Sequence, residues 1–171
     1  NGNPCSVMHG FIHNLGLDTI LATVKLNTKS ENIEDIYSEL YERGDECKAV
    51  REQLEEAIFS YLSRLELPAE ITVYDEIILA LTQKDMIATF NWDPLLIQAY
   101  NRARKLTTNL PKLTFLHGNV AAGYCERCGH FGALQRVKCD NCGAAYHRSP
   151  LLFPVKHKDY NSNPFIKQQW T

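Results

Sequence analysis

Four cysteines in two pairs, Cys125/Cys128 and Cys139/Cys142, stand just downstream of the tetrapeptide Leu116-His117-Gly118-Asn119. Two Cys-x-x-Cys pairs separated by ten residues can converge on one tetrahedral ion, because each pair closes a tight knuckle that points both sulfurs the same way. Gly129 follows the first pair and Gly143 the second, as a backbone wrapped around sulfur requires. The expected metal is zinc. Four thiolates leave no open coordination position, so the ion would be structural. Two disulfides are the alternative; the lack of a signal-peptide pattern and the distance of Cys5 and Cys47 from the cluster weigh against them. His130 and His147 are spare donors beside the knuckles.

Elements that would position chemistry lie upstream. A helix is expected over 31–42, with Thr28 and Glu31 at capping-box spacing and Ile33, Ile36, Tyr37, Leu40 and Tyr41 in one apolar stripe. A longer helix is expected over 46–65, burying Val50, Leu54, Ala57, Ile58, Tyr61, Leu62 and Leu65, and a third over 73–82. Met86 to Phe90 reads as a short buried strand. Asp93-Pro94 then has the form of an N-cap with proline at the first helical position, starting a helix that runs to about Arg104. Leu113 to Leu116 and Leu151 to Val155 read as two further strands. Strand, helix, strand, insert, strand is the grammar of a parallel sheet with crossovers. Ligands of such sheets collect at the carboxyl ends of the strands, where Asn91, Asp93, His117 and Asn119 all fall.

The bulk numbers suit a soluble globular protein: 171 residues, 44% hydrophobic, 22% charged, formal net charge −2. No apolar run is long enough to span a membrane. A cytoplasmic location is expected, although a chain that begins at Asn1 carries no argument about address from its ends. The small net charge hides an asymmetry. Residues 1–100 hold 7 Lys/Arg against 17 Asp/Glu, and residues 101–171 hold 11 against 3. The basic half would attract phosphate groups, on a nucleotide or on nucleic acid, unless it is spent packing against the acidic half.

The order of these features resembles the sirtuin family, and more closely its divergent prokaryotic branch of sirtuin-like, NAD-consuming proteins. Sirtuins end one strand in Thr-Gln-Asn-Ile-Asp and the next in Leu-His-Gly, and a four-cysteine zinc module follows. Here Thr89-Phe90-Asn91-Trp92-Asp93 and Leu116-His117-Gly118 stand in those places, and the resemblance covers about residues 86 to 160. Asn32-Ile33-Glu34-Asp35 adds weaker support. The resemblance implies an α/β fold: a Rossmann-like parallel sheet, truncated relative to a complete nucleotide fold, with a helical N-terminal part and a small zinc-ribbon insert. The implied layout is a mainly helical segment over 1–85, a sheet core over 86–121 and 148–171, and the insert over 122–147.

It also implies roles. His117 would be the general base that draws a proton from a ribose hydroxyl of NAD, or from a chain of hydroxyls leading to water. Asn91 would bond the nicotinamide ribose or the attacking water, and Asp93 would help hold the carboxamide. Gly118 and Asn119 would complete the NAD-facing loop, and Cys125, Cys128, Cys139 and Cys142 would hold zinc. Read alone, Asp93 is a helix N-cap, Asn91 a turn residue and His117 a strand-end residue.

Departures shape the functional expectation. No Gly-Ala-Gly-Ile-Ser-type loop is present, although Asn1-Gly2-Asn3-Pro4 has the look of a remnant. Phe90 replaces the glutamine before Asn91, and Leu152-Phe153-Pro154-Val155-Lys156 replaces the Phe-Gly-Glu segment that docks acetyl-lysine peptides. Deacetylation is therefore less expected than NAD hydrolysis or ADP-ribosyl transfer, of the kind that the resemblance links to bacterial defence against phage. The alternative is a non-catalytic module whose ribbon binds nucleic acid or protein. Arg127, Arg136, Lys138, Arg148, Lys156 and Lys158, interleaved with Tyr124, Phe131 and Tyr146, supply the charge and rings for it. A third reading is a scaffold, or an oligomer, that uses the acidic helices over 31–66 as its interface.

Overall fold

The computed structural model describes residues 10–134, 138–153, 155 and 163–170. In chain order these form helices α1 (Phe11–Asn14), α2 (Asp18–Leu21) and α3 (Ile33–Glu42), a 3-10 turn (Gly44–Cys47), and helices α4 (Lys48–Leu62) and α5 (Val73–Ala80). Strand β1 (Met86–Thr89), helix α6 (Leu95–Ala103) and strand β2 (Lys112–Phe115) follow. Three short strands, β3 (Ala122–Tyr124), β4 (Phe131–Ala133) and β5 (His147–Arg148), and helix α7 (Pro164–Gln169) complete the described elements. Among the described residues no helix is long and apolar enough to cross a membrane. The chain divides into two compact units, one holding 10–61 with Phe153 and Val155, the other 62–134, 138–152 and 163–170.

The first unit is helical. Ile33, Ile36, Tyr37 and Leu40 of α3 are buried at helical spacing, as are Leu54 and Ile58 of α4. The cap of α3 differs from the expected capping box at Thr28 and Glu31. Asn32 is the N-cap, its side chain accepting from the Glu34 backbone N–H at 2.9 Å. Tyr41 leaves the expected apolar stripe, is 52% exposed, and lies under the Arg51 guanidinium at 5.1 Å.

Thr28 is held instead by Glu39 of α3. The Glu39 carboxylate accepts from the backbone N–H groups of Asn27 at 2.8 Å and Thr28 at 2.7 Å, and from the Asn27 amide at 3.2 Å. The Asn27 backbone bond, then that of Thr28, hold this carboxyl below its ordinary range. With the folded pKa lowered, the stabilisation is complete above the unfolded pKa and is lost as pH falls through the folded one. Glu39→Gln should therefore lower stability in urea at pH 7 by about 2 kcal/mol. The gap between variant and wild type should narrow as the pH is taken from roughly 5 toward 2.

The second unit carries the sheet. Strands β1 and β2 pair in parallel, Met86 against Lys112 through Thr89 against Phe115, with α6 as the crossover. Helices α5 and α6 cover one face, where Ile78, Leu96, Ala99, Ala103, Leu110 and Phe115 form a common core. A reciprocal capping box of Thr72 and Asp75 starts α5. Two side chains of α6 then fix the approach to it. Gln98 bonds both Leu65 O and Leu67 N at 2.8 Å, and Arg102 reaches Leu67 O, Pro68 O and the Asp75 carboxylate.

Two sequence expectations need correction here. The apolar run at Leu151 to Val155 forms no strand among its described residues, so the parallel sheet has two described strands and a Rossmann-like sheet is not established. Phe153 is buried, but it stacks on Tyr37 at 4.9 Å rather than pairing in a sheet. Strand β1 is also less buried than expected, with alternate residues exposed and Met86 62% exposed. A parallel strand is normally covered on both faces; here one is covered by helices.

Candidate metal centre and strand-end site

Each cysteine pair closes the same knuckle. The Gly129 N–H donates to Cys125 O at 2.8 Å and the Cys125 N–H to His130 O at 2.9 Å. In the second knuckle Gly143 donates to Cys139 O at 2.9 Å and Cys139 to Ala144 O at 2.7 Å. Both glycines take left-handed conformations, φ 68° and 72°, which side chains with a Cβ disfavour. Strand β3 leads into the first knuckle and pairs with β4 and β5 on its two sides, and a Lys138–Ala145 bridge flanks the second knuckle. Gly132 of β4 leaves room for the Tyr146 ring, whose hydroxyl a Cβ there would meet at 2.4 Å.

The four sulfurs lie within 4.8 Å of one another. Cys125 and Cys142 are 3.4 Å apart and Cys128 and Cys139 3.6 Å. Sulfurs about 2.3 Å from a tetrahedral ion stand about 3.8 Å from each other, so the cluster can hold one metal ion. Its electrostatics ask for one. The Asn141 side chain and the His130 backbone N–H bring the Cys128 thiol down to about 6. The Ala144 N–H also favours a Cys142 thiolate, but the Cys125 sulfur, burial and the Cys128 and Cys139 sulfurs together outweigh it, and Cys142 is pushed up to about 12. Four thiolates in this space need a cation between them.

The spare donors are engaged elsewhere. His130 Nδ1 lies 2.8 Å from the Tyr146 hydroxyl, and His147 Nε2 lies 3.8 Å from Glu126. The rings of Tyr124 and Phe131 pack on Phe165 of α7, with centroids 5.6 and 4.3 Å away. Those rings therefore serve internal packing, whereas Arg127, Lys138 and Arg148 are exposed. Arg136, Lys156 and Lys158 lie outside the described residues.

The loops after β1 and β2 form the second candidate site. They are sewn together by backbone: Leu116 N donates to Thr89 O at 2.9 Å and Val120 N to Trp92 O at 2.9 Å. The Asn119 amide adds a third tie, donating to Asp93 O at 2.6 Å while its oxygen accepts from Ala121 N at 2.9 Å. Asn119 is fully buried; its amide nitrogen joins the two loops, and its oxygen closes its own loop onto Ala121. The Asp93 carboxylate accepts from Leu95 N at 3.0 Å, beginning α6 much as an N-cap does.

Asn91 is exposed at the tip of its loop, its backbone N–H donating to Thr89 Oγ1 at 3.1 Å. His117 meets the same loop through its ring, which lies 4.7 Å from that of Phe90, and its Nε2 is buried. Gly118 has φ 83° and sits against Pro150, as Leu152 N donates to His117 O at 2.9 Å. The structure so brings Asn91, Asp93, His117, Gly118 and Asn119 to one end of the parallel pair.

Sequence reasoning missed α7 and what its end contributes. Gln169 Oε1 accepts from Phe115 N at 3.2 Å, and Trp170 Nε1 donates to Leu116 O at 3.0 Å. Only the Asn163-Pro164 pair, a cap with proline at the first helical position, signals this helix locally. No protein-family model and no curated protein sequence matches this chain.

Proposed function

We propose that this chain is a sirtuin-like NAD-binding domain of the NAD hydrolase or ADP-ribosyl-transfer type, with a structural zinc on Cys125, Cys128, Cys139 and Cys142. The observation that carries this reading is the joining of the Phe90–Asp93 and His117–Asn119 loops at the carboxyl ends of two adjacent parallel strands, with the cysteine module directly following. Crevices at such strand ends are where open α/β sheets bind nucleotides.

In this reading His117 accepts a proton from a ribose hydroxyl of NAD, directly or through further hydroxyls. The bond between the ribose and the nicotinamide nitrogen breaks, neutral nicotinamide leaves with the bonding electrons, and the sugar cation is captured by water or another acceptor. Asn91 orients the ribose or the water, Asp93 lies toward the carboxamide, and Gly118 and Asn119 set the loop that carries the imidazole. The test is nicotinamide release from NAD. His117→Ala should lower it about 100-fold or more while leaving metal content and thermal unfolding intact. Wild-type protein that neither binds NAD nor releases nicotinamide would remove the proposal.

A further inference from the structure

A cavity of about 340 Å³ opens between the first cysteine knuckle and α7. Tyr124, Glu126 and Gly129 line it from the knuckle side, and Pro164, Phe165 and Gln168 from the helix. The cavity is separate from both sites described above. Cys128, Cys139 and Cys142 do not line it, so it is not the space between the sulfurs, and neither Asn91 nor His117 reaches it. Its volume falls within the roughly 300–1,000 Å³ range of small-molecule sites. The Tyr124 and Phe165 rings pack on each other with centroids 5.6 Å apart, and Phe131 packs on Phe165 at 4.3 Å. These rings leave no gap between them, and a ligand in the cavity meets Tyr124 and Phe165 as one wall. Asn163 Oδ1 fixes the start of the helix by accepting from Phe165 N at 2.9 Å.

Beside that wall stands one carboxylate. Glu126 Oε1 accepts from the Tyr124 hydroxyl at 3.1 Å, which holds the group next to the rings. Glu126 Oε2 lies 3.8 Å from His147 Nε2, beyond hydrogen-bond distance. Glu126 is the one formally charged side chain among the described lining residues; Arg127 and Lys167, its neighbours in sequence and those of Gln168, are exposed and do not line the cavity. Ring and proline carbon with a single carboxylate ask for an apolar body that carries one positive charge. The ring faces cover apolar surface and attract a cation at the same time. A guanidinium fork wants two carboxylate oxygens, and Oε1 already takes the Tyr124 proton, so a compact ammonium matches the remaining oxygen better. An anion would meet a like charge and no compensating cation in this lining. We infer that the cavity is a binding site for a small primary amine in its ammonium form. Its apolar tail lies on Phe165 and Pro164, and its charge on Glu126 and the Tyr124 ring.

Titration of the isotope-labelled full chain, prepared with zinc, against phenethylammonium, phenethyl alcohol and hydrocinnamate tests this by NMR, because the three probes share a ring and differ in charge. Phenethylammonium should give saturable amide shifts confined to 124–129 and 163–168, with a Kd at least about fivefold below that of the alcohol. Hydrocinnamate should give no saturable shifts. Glu126→Gln exchanges an exposed side chain for its neutral isostere, and unchanged melting and metal content would verify its folding. In that variant the Kd of the ammonium should rise to that of the alcohol. Wild-type protein that binds ammonium and alcohol alike would overturn the inference, as would shifts centred on other residues or no saturable shifts with phenethylammonium. A Glu126→Gln variant that keeps the preference for charge would overturn it too. None of these outcomes touches the NAD reading, whose own test is nicotinamide release.

Discussion

Cys125→Ser should empty the metal centre and unfold the module built on β3, β4 and β5. Cys125 is fully buried, and its sulfur lies 3.4 Å from that of Cys142. Serine there presents a poor ligand and leaves three thiols crowded without their cation. The described strands of the module are only two or three residues long, so an ion there would supply much of what holds them. Metal binding in such small sites supplies about 10 kcal/mol or more of apparent folding free energy. The variant should bind no zinc by elemental analysis, against one ion per chain in wild type, and should melt at a lower temperature. A thiol-compatible chelator should reproduce the effect on wild type. Cys47→Ser is the control. Cys47 is equally buried but lies in the helical unit, so it should lose some packing stability and no metal. Wild-type metal content in Cys125→Ser would refute the site.

Gly118→Ala should destabilise the chain by more than about 4 kcal/mol, which is beyond what most single substitutions do. The left-handed backbone at φ 83° accounts for about 1–2 kcal/mol of this. The rest is collision. An alanine Cβ would lie 2.1 Å from Pro150 O and 3.0 Å from Ser149 Oγ. The first of these is backbone and cannot rotate away, so the returning segment must move. That movement strains the Leu152 to His117 bond and the contact of Asn119 N with Ser149 Oγ. Gly129→Ala is the comparison, with φ 68° and nothing within 4 Å of the new Cβ. It should lose only the conformational part. Equal destabilisation of the two variants, measured by denaturant unfolding, would show that the packing against Pro150 is not what Gly118 is there for.

What could be read from the sequence was local. The apolar periodicity of α3 and α5, the Asp93-Pro94 start of α6 and the short runs of β1 and β2 all lie in single stretches of chain, and each formed close to its expected place. The cysteine knuckles were legible because the metal's geometry fixes both spacing and turn residues. The failures were long-range. Leu151 to Val155 is apolar in the way a buried strand is, but periodicity cannot say whether a sheet or a helix does the burying, and for Phe153 it is Tyr37 of α3. Glu39 organises a loop eleven and twelve residues before it, and nothing in its local sequence signals that role. Trp170 bonds Leu116 from 54 residues away, and no motif announces such a partner. The buried Asn119 amide likewise reaches Asp93 of the neighbouring loop, a partner that its residue type does not announce.

The bond between His117 O and Leu152 N joins the two mouths of the excursion that contains the cysteine module. Closing that contact in a free chain means gathering a loop of about 35 residues. An ion that pins Cys125 near Cys142 roughly halves the chain to be gathered, and each halving lowers the closure entropy by about 0.6 kcal/mol. A metal ion held there would act on His117 through the connectivity of the polypeptide, with no electrostatic contact between them needed. Loading the knuckles would preorganise the loop after β2, and stripping them would loosen it from a distance.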